Sequence, residues 1–287
     1  MRRSIEIRPR RAADYYCGTS DFEGLLPAPI PIRAALGDSH AALYANRCFK
    51  PGMTKATYGT GSSVMMNAGG ARPANRNGGI ATSIAWGLDG NVAYALEGNI
   101  NYTGAVIKWL VEDMGLLGNS SQAGEIASAV EDAGGVYLIP AFFGLGAPYY
   151  ISGVRAAITG MGRATRKEHI IRAAEECIAY QILDVVHALN SAAPQPVTAL
   201  YADGGPTRDG FLMQFQSDIL GIPLLISGTE ELSGAGAAYC AAIGSGIADT
   251  AMIFSSASFQ EVSPTMRVER REALYKGWTD TILMLAR

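Results

Sequence analysis

The residues most able to do chemistry in this chain sit in four glycine turns: Gly37-Asp38, Gly59-Thr60-Gly61, Asp203-Gly204-Gly205 and Ser233-Gly234-Ala235-Gly236. Each falls where a predicted strand ends or a predicted helix begins. A glycine lets the main chain turn sharply or come close to a ligand. Backbone N–H groups in such turns, and at the helix starts that follow, form nests for anions. One such turn is most often only a turn; four at element ends can converge on one phosphate chain. Neither GxxxxGK[ST] nor GxGxxG occurs, so a P-loop and a dinucleotide fingerprint are excluded. Asp38 closes an apolar run and opens a helix. Two roles stay open for it: a helix N-cap, or a general base at the carboxyl edge of a sheet.

Gly37-Asp38-Ser39 also resembles the GDS nucleophile block of SGNH-type esterases, and Asp184-Val185-Val186-His187 mimics their DxxH. That reading would make Ser39 a nucleophile on a strand–turn–helix. Against it, Asp184 and His187 fall in the middle of a long amphipathic helix, and no GxND block supplies oxyanion donors. The three histidines show no zinc-like spacing, the four cysteines form no CxxC, and no protein metal site is expected.

Strands are expected over residues 31–36, 55–58, 63–67, 82–86, 92–96, 136–139, 156–158, 197–202 and 224–226. Helices are expected over 39–49, 102–114, 123–132, 167–189, 207–220, 234–243 and 265–285. Asp89-Gly90 marks a hairpin turn. Strands first, then strands alternating with helices, predict an α/β mixed sheet flanked by helices. Residues 1–30 read as an N-terminal lead-in with little core of its own, and residues 31–287 as one domain. The 287 residues carry 23 basic and 26 acidic side chains, a formal charge of −3. That balance gives no pull toward nucleic acid or anionic membranes. Only 17% of residues are charged, against about 25% in ordinary soluble domains, so a large apolar interior is expected. The stretch 232–248, rich in Gly, Ala and Ser, reads as a close-packed helix and not a membrane span. A cytoplasmic location is the expectation.

The stretches PIRAALGDSHAALYANRCFKPGMTKATYGTGSSVMMN, NVAYALEGNINYTGAVIKWL, VYLIPAFFGLGAPYY, EHIIRAAEECIAYQILDV, ADGGPTRDGFLMQFQSDILGIPL and ELSGAGAAYCAA run in order from about residue 27 to residue 245. Together they resemble the FGGY carbohydrate kinases, the glycerol kinase branch most closely. The resemblance implies an actin-like (ribonuclease H-like) ATPase domain, an ATP-dependent sugar or polyol kinase, and Mg²⁺ with the nucleotide. It implies Asp38 as the catalytic base. Thr60 and Gly61 match the turn at the γ-phosphate, and Gly104 a helix-start glycine near the phosphates. Gly204 and Gly205 match the turn beside the α-phosphate and adenosine, with Asp209 where an adenine-side Asn is usual. Gly234 and Gly236 match small-residue helix packing.

The resemblance covers only the family's C-terminal half. No DxGT precedes Asp38, and 37 residues cannot hold the N-terminal domain that carries it. The chain is therefore expected to be one lobe, inactive without its N-terminal partner lobe; a face left apolar by that lobe's absence would favour a homodimer. A nucleotide- or partner-binding module without catalysis is the rival reading. The acceptor side departs from a glycerol site. Ser39 replaces a Gln, Ser63 lies where a pocket Phe falls, Lys108 replaces a nucleotide-side Gln, and Ile151 replaces an acidic residue. Ser39 and Ser63 are thus expected at the substrate, with room for a longer polyol or sugar.

Overall fold

The computed structural model describes residues 17–74, 79–88, 90–229, 231–255 and 258–287. In chain order the elements are β1 (Gly18–Ser20), β2 (Ile30–Ile32), α1 (Asp38–Ala45), β3 (Thr54–Tyr58), β4 (Ser62–Gly69), β5 (Ala81–Leu88), β6 (Asn91–Ile100), α2 (Gly104–Glu112), α3 (Ala123–Ser128), β7 (Tyr137–Ile139) and β8 (Ala157–Thr159). There follow α4 (Lys167–Ala192), β9 (Leu200–Asp203), α5 (Gly210–Leu220), β10 (Leu224–Ser227), α6 (Leu232–Gly244), α7 (Thr250–Phe254), β11 (Phe259–Val262) and α8 (Val268–Leu285).

Seven strands form one mixed sheet in the order β11-β10-β9-β3-β4-β6-β5. β9 runs parallel to both β10 and β3, and the other neighbours are antiparallel. The period-two pleat of β4 sorts its side chains between two cores. Val64 and Met66 join the large core under α2, α4 and α5. Met65 joins the smaller core with Leu43 and Tyr44 of α1, Cys240 of α6 and Phe254 of α7. β3 follows the same rule. Ala56 and Tyr58 enter the large core, while Lys55 and Thr57, paired in register with Met65 and Ser63, share the α1 face. Helix α4 is the central helix; residues 171–186 are buried all round, as expected of a helix packed between α3, α5, α2 and the sheet.

Several sequence expectations need correction. The strand expected over 31–36 shrinks to β2, which pairs with β1 in a separate two-stranded ribbon; Pro31 lacks an N–H and suits only such an edge. Asp38 is therefore delivered by α1 and not by a sheet strand. The helix expected over 207–220 divides into a 3₁₀ turn, Gly205–Arg208, and α5, capped by Asp209. α3 stops at Ser128, short of Asp132, and α8 begins at Val268. β1, β11 and α7 are additional. Asp89 of the expected hairpin turn, and residues 1–16 of the lead-in, lie outside the described residues; β5 and β6 do pair, Leu88 opposite Asn91. Among the described residues no helix is long and apolar enough to cross a membrane.

Candidate functional site

The β3–β4 turn divides two hollows, and Gly59 lines both. On the α1 side lies a pocket of about 300 Å³ lined by Asp38, Ser39, Thr57, Gly61, Ser62, Ser63, Asn99 and Ser233 among others. On the α4 side lies a cleft of about 590 Å³ that includes Thr60, Gly104, Lys108, Glu175, Gly205 and Asp209. Residues far apart in sequence are thus gathered around one turn.

Among the described residues, Asp38 is the only carboxylate lining the smaller pocket. It is exposed, and its Oδ1 accepts the Ser39 N–H at 2.7 Å. It is not an N-cap: Gly37 holds that position and Asp38 is the first residue of α1. Below the pocket lies a buried polar network. The Lys55 ammonium donates to Thr57 Oγ1 at 2.9 Å and to Ser63 Oγ at 3.3 Å. Ser63 in turn donates to Glu97 Oε1 at 2.8 Å. Burial pushes the Lys55 ammonium down, against the pull of the Asp203 and Glu97 carboxylates. Asp203 accepts from Asn46 Nδ2 at 2.7 Å; burial pushes its carboxyl up, and Lys55 opposes that most. The pocket therefore has hydroxyl walls backed by fixed charge, suited to a polyhydroxy ligand.

The turn itself is clamped. The N–H groups of Thr103 and Ala105 donate to Thr60 O, and that of Gly104 to Gly59 O, at 3.0–3.1 Å. A Cβ on Gly104 would stand 2.6 Å from Gly59 O, so only glycine allows α2 to start here. The first N–H groups of α2 are thus spent on the turn, and Gly104 lines the larger cleft. These bonds do not involve the N–H groups of Thr60 and Gly61, which remain the donors at the junction of the two hollows. Gly204 has φ +100° and ψ 167°, a region essentially closed to other residues, and a Cβ there would overlap Tyr58 O. It shapes the turn that presents Gly205 to the larger cleft. Gly204 itself lines a neighbouring hollow with Ser227 and Thr229. Asp209 caps α5 through Leu212 N at 3.0 Å and lies against Gly124.

Asp38, Ser39, Gly61 and Ser63 thus meet in the smaller pocket, and Thr60, Gly104, Gly205 and Asp209 in the larger cleft. Lys108 lines that cleft too and pairs with Glu112 at 3.7 Å, both side chains more than half exposed. Ile151 lies in neither hollow; its carbonyl accepts the Leu145 N–H. The esterase reading is overturned. Asp184 accepts from Tyr275 at 2.6 Å and from Trp278 at 2.8 Å, and His187 Nδ1 meets the Tyr275 hydroxyl at 3.2 Å. Both belong to the α4–α8 packing, and Ser39 lies across the sheet from them. Thr57, Asn99 and Glu175 went unread in the sequence. Glu175 did leave a signal: it sits four residues after Ile171 and three before Ile178, a carboxylate on an apolar helix face.

The family model described as the FGGY family of carbohydrate kinases, C-terminal domain, matches residues 54–245. The chain is 44% identical over 278 residues to a glycerol kinase of Halorhodospira halophila, covering 96% of this chain and 54% of that protein. It is 44% identical over 283 residues to glycerol kinase 1 of Thermotoga maritima, covering 98% and 57%. Among solved structures, Plasmodium falciparum glycerol kinase with ADP superposes with a TM-score of 0.87 at 30% identity, over 96% of this chain and 55% of that one. A xylulose kinase from Rhodospirillum rubrum superposes with a TM-score of 0.79 at 21% identity, over 96% and 56%, a likeness of fold. The chain spans about half the length of the curated relatives it matches.

Proposed function

The chain belongs to the FGGY family of carbohydrate kinases and has its actin-like (ribonuclease H-like) α/β fold, and on that premise we propose that it forms the nucleotide-side lobe of an ATP-dependent sugar or polyol kinase. The observation that carries this reading is the shared wall at Gly59. A phosphate chain entering from the larger cleft would end at Thr60–Gly61. An acceptor hydroxyl in the smaller pocket would meet it there, beside Asp38.

Phosphoryl transfer runs through a loose transition state, so positioning and charge neutralisation dominate. In this reading Asp38 aligns the acceptor hydroxyl and takes its proton late. The Thr60 and Gly61 N–H groups face the transferring phosphoryl oxygens. Ser39 and Ser63 bind acceptor hydroxyls, and the Lys55–Ser63–Glu97 chain fixes the Ser63 hydroxyl. Gly205 and Asp209 border the nucleoside. Among the described residues no group of three His, Cys, Asp or Glu side chains gathers to hold a metal. Mg²⁺ fits as an ion carried by the phosphates, with Asp38 the carboxylate on the acceptor side of the turn; when bound it neutralises phosphate charge.

The acceptor class is a small polyhydroxy compound, with Ser39 and Ser63 leaving room for one longer than glycerol. The partner in this reading is an N-terminal lobe bearing a DxGT phosphate loop. The test has two stages. This chain should bind ADP by calorimetry. Combined with such a lobe, it should release ADP from ATP in the presence of a polyol. ADP binding with no turnover on any polyol or sugar, whatever the lobe, would instead make it a non-catalytic nucleotide-binding module.

A further inference from the structure

Helix α4 buries five polar side chains on its way through the core: Arg172, Glu175, Glu176, Gln181 and Asp184. Four are answered. Arg172 pairs with Glu176 at 2.8 Å and donates to Val130 O. Gln181 donates to Tyr102 O, and Asp184 accepts from Tyr275 and Trp278. Glu175 is the exception. It is 2% exposed, and its Oε2 meets no hydrogen-bond donor among the described residues. Buried polar atoms rarely stay unpaired, because nothing repays their lost hydration.

Glu175 lines the larger cleft together with Asp209 and the apolar side chains Ile107, Ile178 and Leu212. Those apolar walls suit a flat ring, and the glycine turn at Gly59–Thr60 suits the phosphates. Burial, reinforced by the Asp209 carboxylate, pushes the Glu175 carboxyl well above the usual carboxylate range. In its protonated form this carboxyl presents one O–H donor and one carbonyl acceptor side by side. A 6-aminopurine edge presents the complement, an exocyclic N–H beside a ring nitrogen. A neutral acid alone could turn over and serve a 6-oxopurine equally well. Asp209 breaks that symmetry: it can only accept, so it attracts the second amino hydrogen and repels a 6-oxo oxygen.

We propose that Glu175, together with Asp209, is the specificity-determining pair for the nucleobase and selects a 6-aminopurine over a 6-oxopurine. This rests on reading the cleft as the nucleotide site, and its failure is separable from the failure of that reading.

The experiment is calorimetric titration of the chain with ADP and with inosine diphosphate. The wild type should prefer ADP by at least about tenfold, the worth of one good hydrogen bond. Glu175→Gln keeps a donor and an acceptor side by side and should hold that ratio within about threefold. Glu175→Leu should weaken ADP binding by about tenfold and shrink the ratio, while raising the thermal midpoint, because an unpaired buried carboxyl has gone. A purely structural role would not couple a gain in stability to a loss of base discrimination. Asp209→Asn, which can donate as well as accept and still cap α5, should tighten inosine diphosphate binding; it tests the pair without altering α4. An ADP preference that survives both Glu175→Leu and Asp209→Asn overturns the proposal and leaves the nucleotide reading standing. A wild type that binds neither diphosphate overturns the reading and the proposal with it.

Discussion

Gly236 of α6 lies so close to the main-chain carbonyl of Ala41 in α1 that a Cβ at position 236 would overlap it. The two helices pack directly, and α1 begins with Asp38. The smallest side chain in one helix therefore sets where the carboxylate of the other stands. Gly236→Ala must push the helices apart. Overpacking of this kind costs about 1–3 kcal/mol, so the urea midpoint should fall accordingly. ADP binding should change little, because the cleft proposed for the nucleotide lies on the opposite face of the sheet. An unchanged midpoint would mean that α6 yields without effort.

Asp38 tests the proposed chemistry. With the N-terminal lobe supplied, Asp38→Ala and Asp38→Asn remove the group proposed to align the acceptor hydroxyl and take its proton. General-base removal lowers rates by about 10²- to 10⁴-fold, so kcat should drop by that order. ADP affinity should stay nearly intact, since the larger cleft does not include residue 38. Equal kcat in variant and wild type would contradict the assignment.

Ser63 tests the acceptor pocket. Its hydroxyl bridges Lys55 and Glu97 and lines the pocket beside Asp38. Ser63→Phe fills that space and breaks the bridge. With the N-terminal lobe supplied, kcat/KM should fall about tenfold or more for polyols longer than glycerol, and less for glycerol itself. An equal loss on both substrates would show that the wall serves stability and not selection.

Much of this was legible in the sequence because it rests on local rules. The short apolar run within 63–67, the long apolar helix after residue 167 and the glycine turns at strand ends all specify themselves. Gly61, Gly104 and Gly204 came together because each is a place where a Cβ would collide with a main-chain carbonyl. Three things were not local. The run 31–36 looks like a core strand, yet Pro29 and Pro31 confine pairing to a short ribbon. The first N–H groups of α2 look free in any helix start, but the Gly59–Thr60 carbonyls take them. Glu175 reads as one polar residue among helix formers; only the packing of α2 and α5 over α4 turns it into part of a cleft wall. Asp184 was misleading in another way, since its partners lie about 90 residues downstream.

Asp184 also makes stability depend on pH. It is 3% exposed, and burial raises its carboxyl to about 6 despite hydrogen bonds from Tyr275, Trp278 and Tyr149. Its unfolded value is near the ordinary 3.8. The native state thus holds this proton more tightly than the unfolded chain does. Its stabilising effect is complete below about pH 4 and is lost as the pH rises through about 6. A shift of that size corresponds to about 3 kcal/mol. Asp184→Asn cannot titrate, so the difference in unfolding free energy between wild type and variant should shift by about that amount in the variant's favour between pH 4 and pH 7. The variant also sets an amide N–H₂ against the Tyr275 or the Trp278 donor, a constant cost of about 1–3 kcal/mol at every pH. Urea titrations at both pH values separate the two effects: the constant cost displaces the variant's curve, and the titration changes the gap. Parallel curves would mean that Asp184 is ionised throughout, its three donors outweighing its burial.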